Sequence, residues 1–362
     1  MMIMMWGGDV ECLALFASAD CDYDHTWMLQ SHAVRVSEDL ATSDSQTIAI
    51  LMAGTVARYH LDSTAEHLIA PLGKAGWKVD YFYSLCDGNL GDNATWKKKA
   101  ARFEPDPTWS EVKRQDIDAT IAQKLKTFGA DVGSSKVFNH YDTSPDDLSF
   151  ISGNDSVAPL WSGKKRGSIA RRNFVHVHKE INMLWQQVEI QEKKKGAGFQ
   201  YSYVMFIRDD AYWLKDFDLD LMLQITGGRH HSAGGQVFSL DCEPASMRLD
   251  VHPGLVDYLF LADRTAATIF GNLYKYLIRP GDFGTAWVDH LIRTRPYNGE
   301  TFYRQLTNFT GTDVTEVAAG LIPMQRVGRV GGRLCLHKTC DSKLTNEGKI
   351  VVPYLHPELP KC

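Results

Sequence analysis

The sequence is short of the features that would class it at once. It has no apolar run of eighteen residues or more, so no transmembrane helix is expected in it. No Gly-x-Gly-x-x-Gly follows its first strand-like segment, which counts against a dinucleotide-binding oxidoreductase. No Gly-x-Ser-x-Gly elbow marks a hydrolase. Neither sign of charge dominates: 39 Lys and Arg against 44 Asp and Glu give a formal charge of −5, with no global attraction for nucleic acid. The seven cysteines share no repeated spacing. Cys335 and Cys340 lack the second pair that a sulfur-ligated zinc would need, though a disulfide there fits an oxidising compartment. There is no internal repeat.

What is present is an ordinary globular composition, 44% hydrophobic and 23% charged, which argues against disorder over most of the chain. At 362 residues it is long enough for one large α/β domain. The expected layout is a weakly ordered leader over 1–45, a single domain over 46–340 and a tail over 341–362. The leader has no positive n-region, and Asp9 and Glu11 interrupt its apolar part, so it makes a poor signal peptide. Polar stretches at 88–110 and 139–167 read as long loops. Sequons at Asn93, Asn154 and Asn308 lean towards a secretory, Golgi-type glycoprotein, with a cytoplasmic location as the alternative.

The chain is organised around Tyr201–Trp213, YSYVMFIRDDAYW. Seven uncharged residues, rich in aromatic and β-branched types and without clean alternation, suit a strand buried on both faces. Arg208, Asp209 and Asp210 emerge where it ends, and ligands of open α/β sheets collect outside the carboxyl ends of strands. Two adjacent carboxylates invite a divalent cation, here Mn²⁺ or Mg²⁺, or else serve a turn through local hydrogen bonds; on the pair alone the two readings stand level.

Upstream, TIAILMAG reads as a buried strand closed by Gly54, and WKVDYFYSL as its parallel neighbour, ending at Cys86-Asp87-Gly88. A helix over about 63–72 joins them, interrupted near Pro71. Further helices are expected over about 110–128, 168–192, 263–277 and 282–293, with short strands at 136–138, 236–240, 257–261, 303–306 and 334–337. His176 and His178 fall on the long helix as packing or surface residues. Three basic clusters, at 97–99, 164–172 and 193–195, read as solvated faces, although Lys164, Lys165 and Arg166 are placed to close over a phosphate as a lid. His230 and His231 sit in a glycine-bracketed loop, each an exposed loop histidine or else a ligand or base.

Taken together, the blocks IAILMAGTVAR, VDYFYSL, YVMFIRDDAYW and DYLFLADRTAATIFGNLYKYL resemble, over about residues 47–295, the GT-A-fold glycosyltransferases that use nucleotide sugars, in a branch whose Asp-x-Asp signature is degenerate. The resemblance implies an α/β, Rossmann-like fold with a mostly parallel central sheet and helices on both faces. It implies transfer of a hexose-type sugar from a nucleotide-sugar donor to a hydroxyl of a glycan or protein acceptor. Gly54, Arg58, Asp87, Arg208, Asp209, Tyr212 and Lys165 would meet the donor. Asp210, Asp209 and His230 would hold the metal, manganese or magnesium. Asp289, Asp282 or His231 would serve the acceptor as the catalytic group. Arg208 stands where the first Asp of the signature belongs, and no later Glu is found, so a non-catalytic sugar-nucleotide or glycan binder is the second reading.

Overall fold

The computed structural model describes residues 46–87, 106–139, 141–152, 166–228, 232–241, 255, 259–294, 296, 299–318, 320–330 and 333–336. The expected leader and tail, most of the 88–110 stretch, Lys97–Lys99, Lys164, Lys165, His230, His231, Asn93 and Asn154 lie outside the described residues.

The fold is α/β. Its centre is a seven-stranded sheet in the order β3-β2-β1-β4-β7-β6-β8. The strands are β1 (Thr47–Thr55), β2 (Lys78–Cys86), β3 (Ala130–Phe138), β4 (Tyr203–Arg208), β6 (Gln236–Asp241), β7 (Leu259–Ala262) and β8 (Asp313–Ala318). Only β7 runs against its neighbours, pairing antiparallel with β4 and β6; the other pairings are parallel. A small antiparallel sheet of β5 (Ala211–Trp213), β9 (Met324–Val330) and β10 (Arg333–Leu336) stands beside the end of β4.

Alternation along the central strands explains why helices lie on both faces. Ile48, Ile50 and Met52 join one apolar cluster, while Ala49, Leu51 and Ala53 join the other. The same split separates Tyr203, Met205 and Ile207 from Val204 and Phe206. A strand that must be apolar in both directions shows no polar alternation, as its sequence has none.

One layer holds α1, a helical run that is α at Leu61–Thr64 and Ala70–Lys74 with a π-helical turn at Ala65–Ile69, and α2 (Ile117–Thr127). Pro71 does not interrupt α1. Proline has no N–H for the carbonyl four residues back, and that carbonyl, of His67, instead accepts from Phe217 N–H at 2.9 Å. On this side too lies the short α5 (Leu219–Ile225), with Leu219 and Met222 in the same cluster.

The other layer holds α3 (Pro145–Ser152) and the 30-residue α4 (Arg166–Lys195). It continues with α6 (Arg264–Gly271), α7 (Leu273–Ile278), α8 (Thr285–Thr294) and α9 (Gly299–Thr310). Trp185 of α4 lies so close to Gly271 that a Cβ there would stand 2.3 Å from its ring.

Three expectations are corrected. The 139–167 stretch carries α3, whose Asp147 accepts from Ser144 N–H at its start. The span 303–306 is helical: Phe302, Tyr303, Leu306 and Thr310 form the buried stripe of α9, with helical spacing that outweighs the aromatic density. β3 is nine residues long, because an edge strand half open to water is built from Gly and Ser as readily as from apolar residues. The exposed sequon residue Asn308 falls near the end of α9, and Cys335 in β10 is disulfide-bonded.

Candidate functional site

β1 and β4 are parallel neighbours, with Ala53 opposite Arg208, so the residues after them meet at one edge of the sheet. Gly54 lets them meet. A Cβ on it would stand 2.2 Å from Asp209 Cγ, well inside any tolerable contact, so only glycine admits that carboxylate against β1.

Asp209 is then fully engaged. Its Oδ2 accepts from Thr55 N–H at 2.6 Å and from the Thr55 hydroxyl at 2.9 Å. Arg58, from the 3-10 turn after β1, grips it in a fork: Nε to Oδ2 at 2.9 Å and Nη2 to Oδ1 at 2.8 Å. Asp210 is held from the other side. Arg208 donates through Nε at 2.8 Å and Nη2 at 3.2 Å. Arg326 of β9 donates through Nε at 2.6 Å, and Arg58 Nη1 lies 3.6 Å away.

Burial alone raises a carboxyl group's pKa, yet Arg208, Arg326 and Arg58 together hold Asp210 well below the usual carboxylate range. For Arg58, burial is outweighed by the charges of Asp209 and Asp210, which push its pKa up. Three guanidiniums and two carboxylates are thus gathered in one ion-paired cluster. The side chains of Arg58, Arg208 and Arg326 are 26%, 26% and 23% exposed, against 3–4% for the two aspartates. The face turned to solvent is thus guanidinium, and the carboxylates lie beneath it.

This donor set does not fit a divalent cation. The aspartate oxygens already accept charge-assisted hydrogen bonds, and an incoming cation would be set among three guanidiniums. Among the described residues, no three His, Cys, Asp or Glu side chains gather where a metal could be shared.

The other candidates divide. Tyr212 of β5 stacks edge-on against His60, ring centroids 5.3 Å apart. Asp87, at the end of β2, is ion-paired with Arg114. Asp282 and Asp289 are exposed, in and just before α8, and no contact ties either to the arginines. Sequence reasoning missed Thr55, Arg326 and Tyr141. Tyr141 donates its hydroxyl to Gly54 O at 3.1 Å and stacks on His176, centroids 4.5 Å apart. Arg326 is more than a hundred residues from its partner and carries no local signal, whereas Thr55 sits inside the Gly-x-x-x-Arg turn and was within reach.

A cleft of about 410 Å³ is lined by His60, Glu66, His67, Asp106, Glu111 and Tyr212 among others. His60 follows Arg58 by two residues, and Tyr212 follows Asp210 by two, so the same two segments build both features.

No protein-family model and no curated protein matches the chain. Among solved structures, it is similar to mouse xyloside xylosyltransferase 1 in its apo form, at TM-score 0.37 and 11% identity over 76% of this chain and 86% of that one. It is also similar to the glycosyltransferase GlyE of Streptococcus pneumoniae TIGR4, at TM-score 0.33 and 9% identity over 75% of this chain and 46% of that one. A third is the bifunctional glycosyltransferase WbbM, at TM-score 0.31 and 8% identity, covering 76% and 39%. Likenesses of this size carry no argument, and the α/β architecture stands on the strand order above.

Proposed function

We propose that the protein is a glycosyltransferase that moves a sugar from a nucleotide-sugar donor to an acceptor hydroxyl, with the donor diphosphate met by Arg58, Arg208 and Arg326. One observation carries this reading: three partly exposed guanidiniums, set by two buried carboxylates, converge at the carboxyl ends of adjacent parallel strands. Cleavage of a sugar–phosphate bond leaves negative charge on the diphosphate. Positive groups fixed in advance at that place lower the barrier without reorganising when the charge develops. Guanidiniums also match phosphate oxygens in bidentate geometry. Asp209 and Asp210 act here as the fixtures that aim the arginines. On the same footing we place the enzyme in an oxidising, secretory lumen, which the Cys335 disulfide and the exposed Asn308 fit.

The test is a thermal-shift panel of UDP-, GDP- and CMP-sugars on the full chain, run with Mn²⁺ and again with EDTA. One donor class is expected to raise the melting temperature equally in both buffers and to lose that effect in Arg326→Ala. No stabilisation by any donor would refute the transferase reading. Stabilisation only with Mn²⁺ would refute the role given to the arginines. Stabilisation without release of nucleoside diphosphate would favour the non-catalytic binder.

A further inference from the structure

We propose that His60 is the general base that takes the proton of the acceptor hydroxyl, that Asp106 is its positioning residue, and that the cleft they wall receives a neutral glycan. The proposal rests on the transferase reading above and names a residue and a substrate class within it.

His60 lies at the entry to α1 and is 6% exposed, yet it lines the cleft. Its Nδ1 lies 2.9 Å from Asp106 Oδ2, at hydrogen-bond distance. Asp106 is fixed in turn: its Oδ1 accepts from Thr108 N–H at 3.0 Å, and its own N–H donates to Ala57 O at 2.9 Å in the turn that carries Arg58. Burial would raise the Asp106 carboxyl pKa, but the hydrogen bonds from His60 and Thr108 hold it below the usual range, so the carboxylate is ionised. An ionised Asp106 has no proton to give, so the imidazole must carry its hydrogen on Nδ1. In the neutral ring Nε2 then carries the lone pair, and it has no hydrogen-bond partner among the described residues. A carboxylate that fixes the tautomer, with the second nitrogen unpartnered on a residue that lines a cleft, is the arrangement a proton acceptor needs.

The lining also indicates the acceptor. Tyr212 places an aromatic ring at the cleft beside His60. Glu66 and Glu111 are exposed at the cleft, with no ion-pair partner among the described residues, while His67 is paired with Asp216. Carboxylates accept from sugar hydroxyls and repel an anionic acceptor, and an aromatic ring packs against the C–H face of a sugar. The cleft therefore divides the labour with the arginines: the anionic donor goes to the positive face and a neutral polyol to the acidic one.

The step balances in this form. The acceptor oxygen forms a bond to the anomeric carbon of the donor. The bond from that carbon to the diphosphate oxygen breaks, and its electron pair leaves on the diphosphate beside the guanidiniums. The hydroxyl proton passes to His60 Nε2, while the Nδ1 hydrogen stays on the ring and remains bonded to Asp106.

The test compares the full-length wild type with His60→Gln and Asp106→Asn. Donor-induced stabilisation is measured with the UDP-, GDP- and CMP-sugar panel. Turnover is measured as release of UDP, GDP or CMP, with water and with neutral methyl glycosides as acceptors, across pH 5 to 9. His60→Gln is expected to keep the donor-induced rise in melting temperature and to lose about 10²- to 10⁴-fold in turnover. It should also lose the acid limb of the pH–rate profile that protonation of the base produces. Asp106→Asn is expected to slow turnover and move that limb, and it reports on the dyad should the histidine variant fail to fold. Turnover of His60→Gln within about threefold of wild type, with the limb intact, overturns the inference and leaves the transferase reading standing. A wild type that binds donor without turnover overturns it as well. Failure of every donor to bind wild type refutes the transferase reading itself, a result distinct from both.

Discussion

Replacing Gly54 by alanine puts one methyl group where Asp209 now sits. The added carbon would lie 2.2 Å from Asp209 Cγ, 2.4 Å from its Cβ and 2.4 Å from Oδ2. Contact at about van der Waals distance would require Asp209 to retreat by more than 1 Å. The carboxylate cannot retreat alone, because Thr55 and Arg58 hold it through both oxygens. Overpacking of this kind costs about 1–3 kcal/mol. A charge-assisted hydrogen bond lost as the carboxylate moves adds about 1.5–3 kcal/mol. Gly54→Ala should therefore destabilise the protein by about 4 kcal/mol, and at about 2–4 °C per kcal/mol the melting temperature should fall by about 8–16 °C. Calorimetry on the two proteins in the same buffer measures this. Donor stabilisation should weaken in parallel, since a displaced Asp209 no longer aims Arg58. A melting temperature within about 2 °C of wild type, with donor binding unchanged, would refute the reasoning, since the edge of the sheet would then have room that the packing denies it.

Other outcomes follow from the same geometry. Asp210→Asn should cost about 2–4 kcal/mol in urea unfolding, because it leaves Arg208 and Arg326 facing each other over a group 4% exposed; an unchanged midpoint would show that the guanidiniums reach water freely. Arg326→Ala should weaken nucleoside diphosphate binding by about tenfold at low salt and less at high salt, read by titration calorimetry. Tyr141→Phe removes the hydroxyl bonded to Gly54 O and should cost about 1 kcal/mol in the same unfolding assay. Stability should also fall on acidification through His178, whose pKa burial, aided by Arg208, pushes down to about 3. Its Nδ1 is buried without a partner, and its Nε2 meets the Tyr303 hydroxyl at 2.6 Å. An unfolded histidine takes up its proton near pH 6.5 and the folded one does not, so this contribution is full above about pH 6.5 and is lost as pH falls towards 3. Between pH 7 and 4.5 the loss is about 2 kcal/mol once partial exposure is allowed for, and His178→Asn should flatten that part of the curve.

Local chemistry determined much of this protein by itself. The apolar runs of β1 and β4 have a composition that only burial on both faces satisfies, so a mostly parallel sheet between helices follows from them. The stripe on α4 and the Asp263 cap of α6, which accepts from Ala266 N–H at 2.8 Å, are likewise written in adjacent residues. The place of Arg208, Asp209 and Asp210 at a strand end belongs to the same class. What those residues meet there was not legible, because their partners come from elsewhere in the chain. Thr55 and Arg58 reach Asp209 across about 150 residues, and Arg326 comes back from β9 to Asp210. An acidic pair read alone invites a cation; the same pair among three guanidiniums is already neutralised, and only the pairing of β1 with β4 and of β5 with β9 decides between them. The His60–Asp106 pair has the same origin, for its two residues lie 46 positions apart and neither carries a motif. Burial and backbone pairing are local enough for sequence to dictate, whereas the electrostatic character of a site depends on which distant charges the folded chain brings within a few ångströms.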